Sequence, residues 1–396
     1  MKRILFLTFY FRPDLCAGSF RNSPLVDELL RQTVGKNIEI DVFTTNPNRY
    51  ASYSLGAKKI EEFGNVKVER IAIPPHKSGI IDQALSFRTF FFETLRKTKN
   101  KDYDLVYASS SRFFTSYLAY RIAKRNRSPL FIDVRDIFSE TLRYVSNNPV
   151  IKHIIVPFIA RLEKKVYNHA THINLISEGF KSSFKDFPDN KFSFFTHGVD
   201  PVFIEHKPGV QKETSDKRKK ILYAGNIGEG QGLHKIVPGA AKLLRDQYDF
   251  EIIGDGGALS KLKSEIKKQC LSNVTIRKPV DRNNLVEEYM NADILFIHLN
   301  DVEIFRKVLP SKIFELAVTG KPILAGVSGY SEQFLRDFVN TSYIFKPCDI
   351  DGLIESLKLI QNNEKQLNVD QNQKFISLFS RKNINQNIAA KIVETI

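Results

Sequence analysis

The sequence predicts an α/β protein with two doubly wound domains, each containing a parallel sheet with helices on both faces. Short apolar runs alternate with longer amphipathic stretches from end to end, which is the pattern of repeated strand–helix–strand units. The length of 396 residues exceeds one ordinary core and suits two domains. Because the apolar runs are nearly continuous rather than alternating, we expect the strands to be buried on both faces.

The first half contains six predicted strands. They are Ile4–Phe9, Ile38–Thr44, Val66–Ile71, Leu105–Ala108, Leu130–Val134 and Ile173–Ile176. Amphipathic helices are predicted at Ser23–Thr33, Arg112–Arg125 and Val156–Ala170. The opening run has the charge of a signal peptide, but Arg12, Pro13 and Asp14 stand where a small-residue cleavage site should be. We therefore interpret this run as a buried first strand.

A polar segment at 206–220 separates the two halves. It contains Pro and Gly and lacks apolar periodicity, so it is predicted to be a linker. Strands then resume at Lys220–Ala224, Phe250–Ile253, Val274–Ile276, Ile294–His298, Pro322–Ala325 and Tyr343–Phe345. The predicted domains are 1–205 and 206–380, with a closing helix at 381–396. We expect a cleft between them at the carboxyl ends of their strands, where such sheets bind ligands.

Composition narrows the class of protein. Apolar residues make up 42% and charged residues 26%, as in folded globular proteins. No apolar run reaches the ~18 residues of a membrane span. Cys16, Cys270 and Cys348 lie far apart without metal-ligand spacing, so we predict no disulfide framework, no metal site and a reducing cytoplasm.

The formal charge of +15 indicates an anionic partner such as nucleic acid, a lipid surface or phosphates. The first 205 residues hold 31 of the 59 basic side chains and 21 of the 44 acidic ones. The first half therefore carries most of the excess positive charge.

Glycine-containing turns follow the predicted strands of both halves. After the first strand there is no GxGxxG fingerprint, but Gly18 and Ser19 lead into a helix and could approach an anion through backbone N–H groups. A flexible loop is the alternative there. In the second half, Gly225–Gly232 holds four glycines and Ile253–Gly257 forms another glycine turn, so a phosphate-binding loop is plausible.

The segment 308–322 is the most informative part of the sequence. Pro310 and Ser311 are predicted to open a short helix, with Ser311 as its N-cap, and Gly320 to close it. Cations at positions 306, 307 and 312 would add charge to the positive helix end, as a diphosphate site requires. Glu315 lies one turn inside, where a carboxylate could accept ribose hydroxyls. The alternative is a solvated glutamate among surface cations.

Together, the segments Tyr223–Leu233, Ile253–Gly257 and Pro310–Pro322 resemble the donor half of the retaining glycosyltransferases of family 4, which have the two-Rossmann GT-B architecture. The first of them resembles the branch that transfers N-acetylated deoxyhexosamines, such as N-acetylfucosamine, in O-antigen and capsule assembly. A looser likeness to this branch covers the loop at 13–21 and the segments 133–140 and 196–200 of the first half.

The resemblance implies a set of donor-binding residues. They are Gly18, Gly225, Asn226, Gly228, Gln231, Gly254, Gly256, Lys307, Pro310, Ser311, Lys312 and Glu315. Glu315 matches the second glutamate of the family's E-x7-E element, which implies contact with the nucleotide ribose, whereas Lys307 stands at the first. Asn226 and Gln231 stand near the family's usual arginine and lysine phosphate clamp. The negative charge of the diphosphate would then be neutralised by Lys307, Lys312 or Arg306.

The resemblance places catalysis and the acceptor in the first half. Retaining transfer on this fold has no firmly placed protein nucleophile, so we name none. Asp136 and Glu140 are the predicted catalytic carboxylates nearest the acceptor, and Arg21, Arg135 and His197 are the predicted acceptor-binding residues. The alternatives are a structural pair of Asp136 with Arg135, a solvated Glu140 and an ordinary loop histidine at position 197.

Membrane contact is predicted for Ile80–Lys97, Arg112–Arg127 and Lys152–Lys165, which combine apolar or aromatic residues with basic ones. Core-facing apolar stripes with solvated lysines are the alternative. We predict a nucleotide-sugar-dependent transferase, with a donor expected to be UDP-linked, no metal or other cofactor, and a polyprenyl-diphosphate-linked saccharide as acceptor. It would be cytoplasmic and peripheral on the inner face of a bacterial plasma membrane.

Two other functions are consistent with parts of this pattern. A GT-B-shaped nucleotide-sugar epimerase would share the fold without a separate acceptor. Nucleic-acid binding would explain the charge, but no helix-turn-helix, zinc-finger or RNA-recognition pattern is present and the basic residues are dispersed.

Overall fold

A computed structural model of the chain describes residues 1–14, 16–47, 56–74, 80–110, 112–205, 218–362 and 368–396, with no side-chain description at 80–84. The chain divides into two compact units. The first unit comprises Met1–Thr196 and Ile384–Ile396, and the second comprises His197–Asn383. Most of the predicted linker, residues 206–217, lies outside the described residues.

The first unit contains an eight-stranded sheet in the order β3-β4-β2-β1-β5-β6-β7-β8. Its strands are β1 Lys2–Leu7, β2 Ile38–Thr45, β3 Ile60–Phe63, β4 Val66–Ile71, β5 Leu105–Ser109, β6 Leu130–Val134, β7 His172–Leu175 and β8 Phe192–Ser193. All neighbouring strands are parallel except β3 and β4. The six predicted strands of this half are confirmed within two residues at each end.

Helices surround this sheet. They are α1 Ala17–Thr33, α2 Ile80–Lys97, α3 Phe113–Asn126, α4 Phe138–Val145 and α5 Val156–His169, with a π-helical turn at Ile151–Ile155 leading into α5. Helix α1 begins six residues before the predicted start because the helix continues through Pro24. The core joins apolar side chains of β1, β2, β4, β5 and α1.

The second unit contains a six-stranded sheet in the order β11-β10-β9-β12-β13-β14, and every pair of neighbours is parallel. Its strands are β9 Lys219–Asn226, β10 Tyr248–Asp255, β11 Val274–Arg277, β12 Ile294–His298, β13 Ile323–Gly326 and β14 Ser342–Phe345. The six strands predicted here are also confirmed. Apolar clusters lie on both faces of the sheet, as expected for strands with continuous apolar runs.

Eight further α-helices follow in chain order among the described residues. They are α6 Pro201–Ile204, α7 Leu233–Leu243, α8 Leu259–Lys268, α9 Arg282–Asn291, α10 Lys312–Ala317, α11 Tyr330–Phe338, α12 Ile350–Asn362 and α13 Val369–Phe379. The last helix, α14 Arg381–Glu394, returns to the first unit, where Ile388, Ala389 and Ile392 are buried in its core. The predicted closing helix therefore completes the first core.

The order of strands creates a place for a ligand within the second unit. Strand β9 pairs with β10 along its whole length, from Lys219 to Asn226, but with β12 only at Ile221 and Leu222. Strands β9 and β12 therefore separate toward their carboxyl ends. The chain also runs in opposite directions across the sheet from this point, which is the topological switch where doubly wound sheets bind ligands.

Candidate active site

The loop after β9 is held by its own side chains. The Asn226 amide Nδ2 donates to Gln231 Oε1 over 2.8 Å, and the Gly228 backbone N–H donates to the same oxygen over 3.2 Å. Gly232 ends the loop at φ +62°, a left-handed conformation that glycine adopts at little cost. The structure thus brings the predicted donor residues Asn226, Gly228 and Gln231 into one turn at the switch point.

The glycines after β10 allow this turn to be packed closely. A Cβ at Gly254 would collide with the Gly225 carbonyl oxygen, and one at Gly256 would lie 2.5 Å from the Ile227 carbonyl oxygen. Side chains at these two positions would push the ends of β9 and β10 apart. The two glycine turns predicted from the sequence are therefore one packed unit at the edge of the sheet.

Lys312 and Glu315 lie beside this edge on α10. The Lys312 ammonium Nζ lies 2.8 Å from Glu315 Oε2 and 3.3 Å from the Tyr289 hydroxyl. A Cβ placed on Gly225 would lie 3.7 Å from Lys312 Cε, so the lysine stem passes over the end of β9. The structure therefore joins two of the predicted donor residues to the glycine turn.

Glu315 is buried and surrounded by donors. Its Oε2 also accepts from the Tyr289 hydroxyl at 3.3 Å, while Arg282 approaches Oε1 at 3.4 Å. Burial, followed by the nearby Glu315 carboxylate, raises the pKa of Tyr289 well above its usual value, so the phenol stays protonated. Glu315 is not the solvated helix residue of the alternative interpretation.

Asp200 extends this ionic network. It pairs with Arg282 and also accepts from Arg381 NH1 at 2.6 Å. Arg282 and Tyr289 were not predicted from the sequence. Helix α9 contains no recognisable motif, and its residues contact Glu315 only in the folded chain. No local signal in the sequence identifies them.

The start of α10 differs from the sequence-based prediction. Ser311 stands at the predicted N-cap position, directly before Lys312, but it has helical angles, φ −58° and ψ −25°, and its side chain makes no capping hydrogen bond. Pro310 precedes it, and Lys307 ends a short 3₁₀ turn, Glu303–Lys307. Arg306 in that turn is exposed and lies 3.4 Å from Glu303. Gly320, at φ +75°, follows the helix as predicted.

His298 is hydrogen-bonded to the loop after β9, and it was not among the residues predicted from the sequence. Its Nε2 accepts from the Cys348 backbone N–H at 2.9 Å, so its Nδ1–H donates to the Gln231 carbonyl oxygen at 2.6 Å. Burial lowers the pKa of His298 to about 4, which keeps the ring neutral. Its position at the end of β12 was the one available signal.

In the first unit, Arg21 and Asp133 form a buried, bidentate ion pair. Arg21 Nε and NH2 donate to the two carboxylate oxygens at 2.7 and 2.8 Å. The remaining guanidinium contacts are with the carbonyl oxygens of Thr196 and Phe195 at 2.6 and 2.8 Å. Four of the five guanidinium N–H groups are therefore bonded within the protein, which gives Arg21 a structural role, and its role in acceptor binding stays a prediction.

Gly18 and Arg135 lie near the same end of this sheet. A Cβ at Gly18, in the first turn of α1, would lie 3.2 Å from Tyr10 Cβ, so the residue is packed beneath Tyr10. Arg135 NH1 donates to the Ala17 carbonyl oxygen at 3.2 Å. Burial and the positive charge of Arg21 lower the pKa of Arg135.

The predicted catalytic carboxylates lie near a third acid that sequence reasoning missed. Burial raises the pKa of Asp136 to about 6, although the positive charge of Arg135 opposes the shift. Glu140 accepts from the Ser183 hydroxyl at 2.8 Å and is half-buried rather than solvated. Burial raises the pKa of Glu163 to about 7, and its carboxylate accepts from both the backbone and the hydroxyl of Ser139.

His197 is the first residue of the second unit and is half-buried. Gly198 follows it at φ +71°, so a left-handed turn sets the direction of this segment. The structure places the other predicted acceptor residues, Arg21 and Arg135, in the first unit.

Comparisons with known proteins agree with this architecture. The family model "Glycosyl transferases group 1" matches residues 209–375. A protein of Escherichia coli K12 named as a colanic acid biosynthesis glycosyl transferase, WcaI, is 25% identical over 150 residues, which is 37% of this chain and 37% of that relative. The chain thus matches well under half the length of this curated relative.

Two solved structures are similar over the whole chain. Sucrose-phosphate synthase from Thermosynechococcus elongatus has a TM-score of 0.74 and 12% identity, with 100% of this chain and 99% of that one covered. Anabaena HepE in complex with UDP-glucose has a TM-score of 0.68 and 16% identity, with both chains fully covered. We conclude that the chain has the GT-B fold of glycosyltransferases and that residues 209–375 match a group 1 glycosyltransferase domain.

Proposed function

We propose that the protein is a retaining glycosyltransferase that moves a sugar from a nucleoside-diphosphate donor to a lipid-linked saccharide in bacterial surface polysaccharide synthesis. The observation that carries this proposal is the Lys312–Glu315 pair beside the diverging ends of β9 and β12, inside the region that matches the group 1 family model. It joins a cation suited to phosphate and a carboxylate suited to hydroxyls.

The pair would exchange partners when the donor binds. Lys312 is one-third exposed and Glu315 is buried, so the lysine is the more mobile of the two. Turning Lys312 toward the diphosphate would release Glu315 Oε2 to accept from the ribose hydroxyls. Tyr289 and Arg282 would then hold the carboxylate in place and limit the cost of separating the pair.

We expect the diphosphate to be bound by few charges. Asn226 and Gln231 are neutral and bind one another, so they keep the turn closed rather than neutralise phosphate. The donors proposed for the diphosphate are backbone N–H groups of the glycine turn, Lys312 and Lys307. No metal or other cofactor is included in this proposal.

The donor is expected to be a UDP-linked, N-acetylated deoxyhexosamine. The Tyr223–Leu233 segment resembles the branch that transfers such sugars. HepE, which shares the fold, was solved with UDP-glucose. Uridine-diphosphate sugars are therefore the first donors to test.

The first unit would bind the acceptor on the inner face of the plasma membrane. Asp136 is a catalytic candidate because it is half-buried and its pKa of about 6 permits proton exchange near neutrality.

Among the described residues, no helix is both long and apolar enough to cross a bilayer. Peripheral contact with a lipid-linked acceptor is part of this proposal. The similarity to WcaI supports a role in surface polysaccharide synthesis.

Catalysis would consist mainly of positioning and electrostatic stabilisation. The acceptor hydroxyl would attack the anomeric carbon on the face that the diphosphate leaves, and the departing phosphate oxygen would take its proton. Lys312 would stabilise the negative charge that develops on the diphosphate. No protein nucleophile is assigned.

The test is a transfer assay with a panel of UDP- and GDP-sugars and membrane-extracted lipid-linked saccharides. We expect one UDP-sugar to bind by calorimetry and to release UDP only when acceptor is added. Proton NMR of the product should show the anomeric configuration of the donor. Interconversion of the donor sugar without acceptor would instead indicate an epimerase and overturn the proposal.

A further inference from the structure

The outer side of α5 in the first unit exposes apolar side chains next to a basic groove. Ile154 and Ile155 lie in the π-helical turn before α5, and Phe158 lies in its first turn. Their exposed fractions are 65%, 42% and 56%. The opposite side of the helix is buried through Val156, Ile159 and neighbouring side chains. We call Ile154, Ile155, Phe158, Arg161 and Lys165 the α5 face.

The cations of the α5 face continue the same helical stripe. Arg161 and Lys165 follow Phe158 at spacings of three and four residues, so they point to the same side. They help to line a groove of about 490 Å³ together with Tyr120, Lys124, Lys164 and Asn168. Lys164 lies 3.4 Å from the exposed Asp186, which is the one carboxylate paired with a cation of this groove among the described residues.

The surrounding sequence is almost free of negative charge. Between positions 141 and 170 the sole acidic residue is Glu163, which is buried against Ser139, while five lysines and arginines occur there. Helix α3, on the other side of the groove, has Arg121, Lys124 and Arg125 and no acidic residue. The surface is therefore apolar at one end and strongly basic at the other.

We propose that the α5 face docks on an anionic lipid bilayer. Ile154, Ile155 and Phe158 would enter the boundary between headgroups and acyl chains, and Arg161 and Lys165 would contact lipid phosphates. Nucleic acid could neutralise the cations, but it would not bury the exposed apolar side chains. The inference deepens the proposed function, on which it rests for the bilayer as the place of reaction.

Vesicle sedimentation tests the docking without donor or acceptor. The probes are vesicles of equal parts phosphatidylethanolamine and phosphatidylglycerol, compared with phosphatidylcholine alone. We expect salt-sensitive binding to the anionic vesicles and little to the neutral ones. Arg161→Gln/Lys165→Gln should lower partitioning about 30-fold, since each cation near an anionic surface is worth about fivefold. Ile154→Ser/Phe158→Ser should lower it about tenfold or more.

Matched variants control for charge and exposed apolar area. Lys36→Gln/Lys358→Gln removes two exposed cations elsewhere, and Val34→Ser removes a side chain that is 65% exposed, like Ile154. Neither should change vesicle binding. Equal losses in the test and control variants, or unchanged binding in the test variants, would overturn the proposal.

A fluorescence measurement locates the contact in a nearly unaltered protein. The chain contains no tryptophan, so Phe158→Trp introduces a single indole. Its emission should shift to shorter wavelength with anionic vesicles and be quenched by brominated lipid, whereas that of Val34→Trp should not. A shift without vesicles that accompanies dimerisation would instead assign this face to a second copy of the chain.

The two proposals can fail separately. Donor binding and acceptor-dependent UDP release without vesicle binding would refute docking and leave the transferase in place. Vesicle binding through the α5 face without any nucleotide-sugar binding would refute the transferase and retain the docking surface.

Discussion

Replacing Arg21 with Met should destabilise the first unit by about 3–5 kcal/mol, the usual cost of leaving one partner of a buried ion pair uncompensated. The side chains of Arg21 and Asp133 are 4% and 0% exposed. Their two hydrogen bonds, at 2.7 and 2.8 Å, have the bidentate geometry that makes arginine–carboxylate pairs strong.

The magnitude follows from the contacts that the substitution removes. Asp133 would keep the Asn174 Nδ2 donor at 2.7 Å but lose both bonds from Arg21, and the Thr196 carbonyl oxygen would lose its donor. Although burial opposes it, the charge and hydrogen bonds of Arg21 lower the pKa of Asp133. The stabilisation is therefore present above the ordinary aspartate pKa of about 4 and is lost as pH falls through the lower folded value.

The loss of stability is measured by urea unfolding. Hydrogen exchange in peptides that contain β6 reports on the first unit separately. Arg31→Met is a matched control, since Arg31 lies on the same helix and is largely exposed while its partner Glu28 is partly buried; a shift below about 1 kcal/mol is expected. Arg21→Met/Asp133→Leu should recover much of the loss. A stable Arg21→Met protein that binds donor but fails to transfer sugar would refute the structural role and support the predicted role in acceptor binding.

Three further predictions concern both units. Glu315→Gln should weaken binding of the UDP-sugar by about 1.5–3 kcal/mol in calorimetry, whereas Glu303→Gln, at an exposed site, should not. Burial raises the pKa of Glu163 to about 7, so its stabilising contribution is full below about pH 4 and is lost as pH rises through 7. Glu163→Gln should flatten urea stability across that range and raise it at pH 8 by roughly 2–3 kcal/mol. Gly254→Ala should destabilise the second unit by about 3 kcal/mol in urea, because its Cβ meets backbone, whereas Gly257→Ala, with open space around it, should cost far less.

Central strands were predicted well because burial on both faces leaves a continuous apolar run. Strands β4, β6 and β12 have the predicted limits. Strands β3 and β8 were missed. The sequence of β3, Ile-Glu-Glu-Phe, is half charged because this strand lies at the edge of the sheet, and β8 is only two residues long.

Local patterns were less informative about the ends of helices. Ser311 stands at the predicted N-cap position of α10, but its side chain makes no capping hydrogen bond. Conversely, Gly320 follows the helix as predicted, and its positive φ is one that glycine adopts at little cost. A cap needs a specific rotamer and a donor within reach, so residue type alone does not decide it.

The amino-acid sequence alone was enough for the α/β class, the strands of both sheets other than β3 and β8, and the glycine turns at their carboxyl ends. These depend on side-chain size, apolarity and spacing within a few residues. Only the tertiary structure determines which residues the charged side chains pair with. Arg21 meets Asp133 across 112 residues, and Glu315 meets Arg282 across 33. The strength and role of a charge depend on its burial and its partner, and both arise only when distant elements come together.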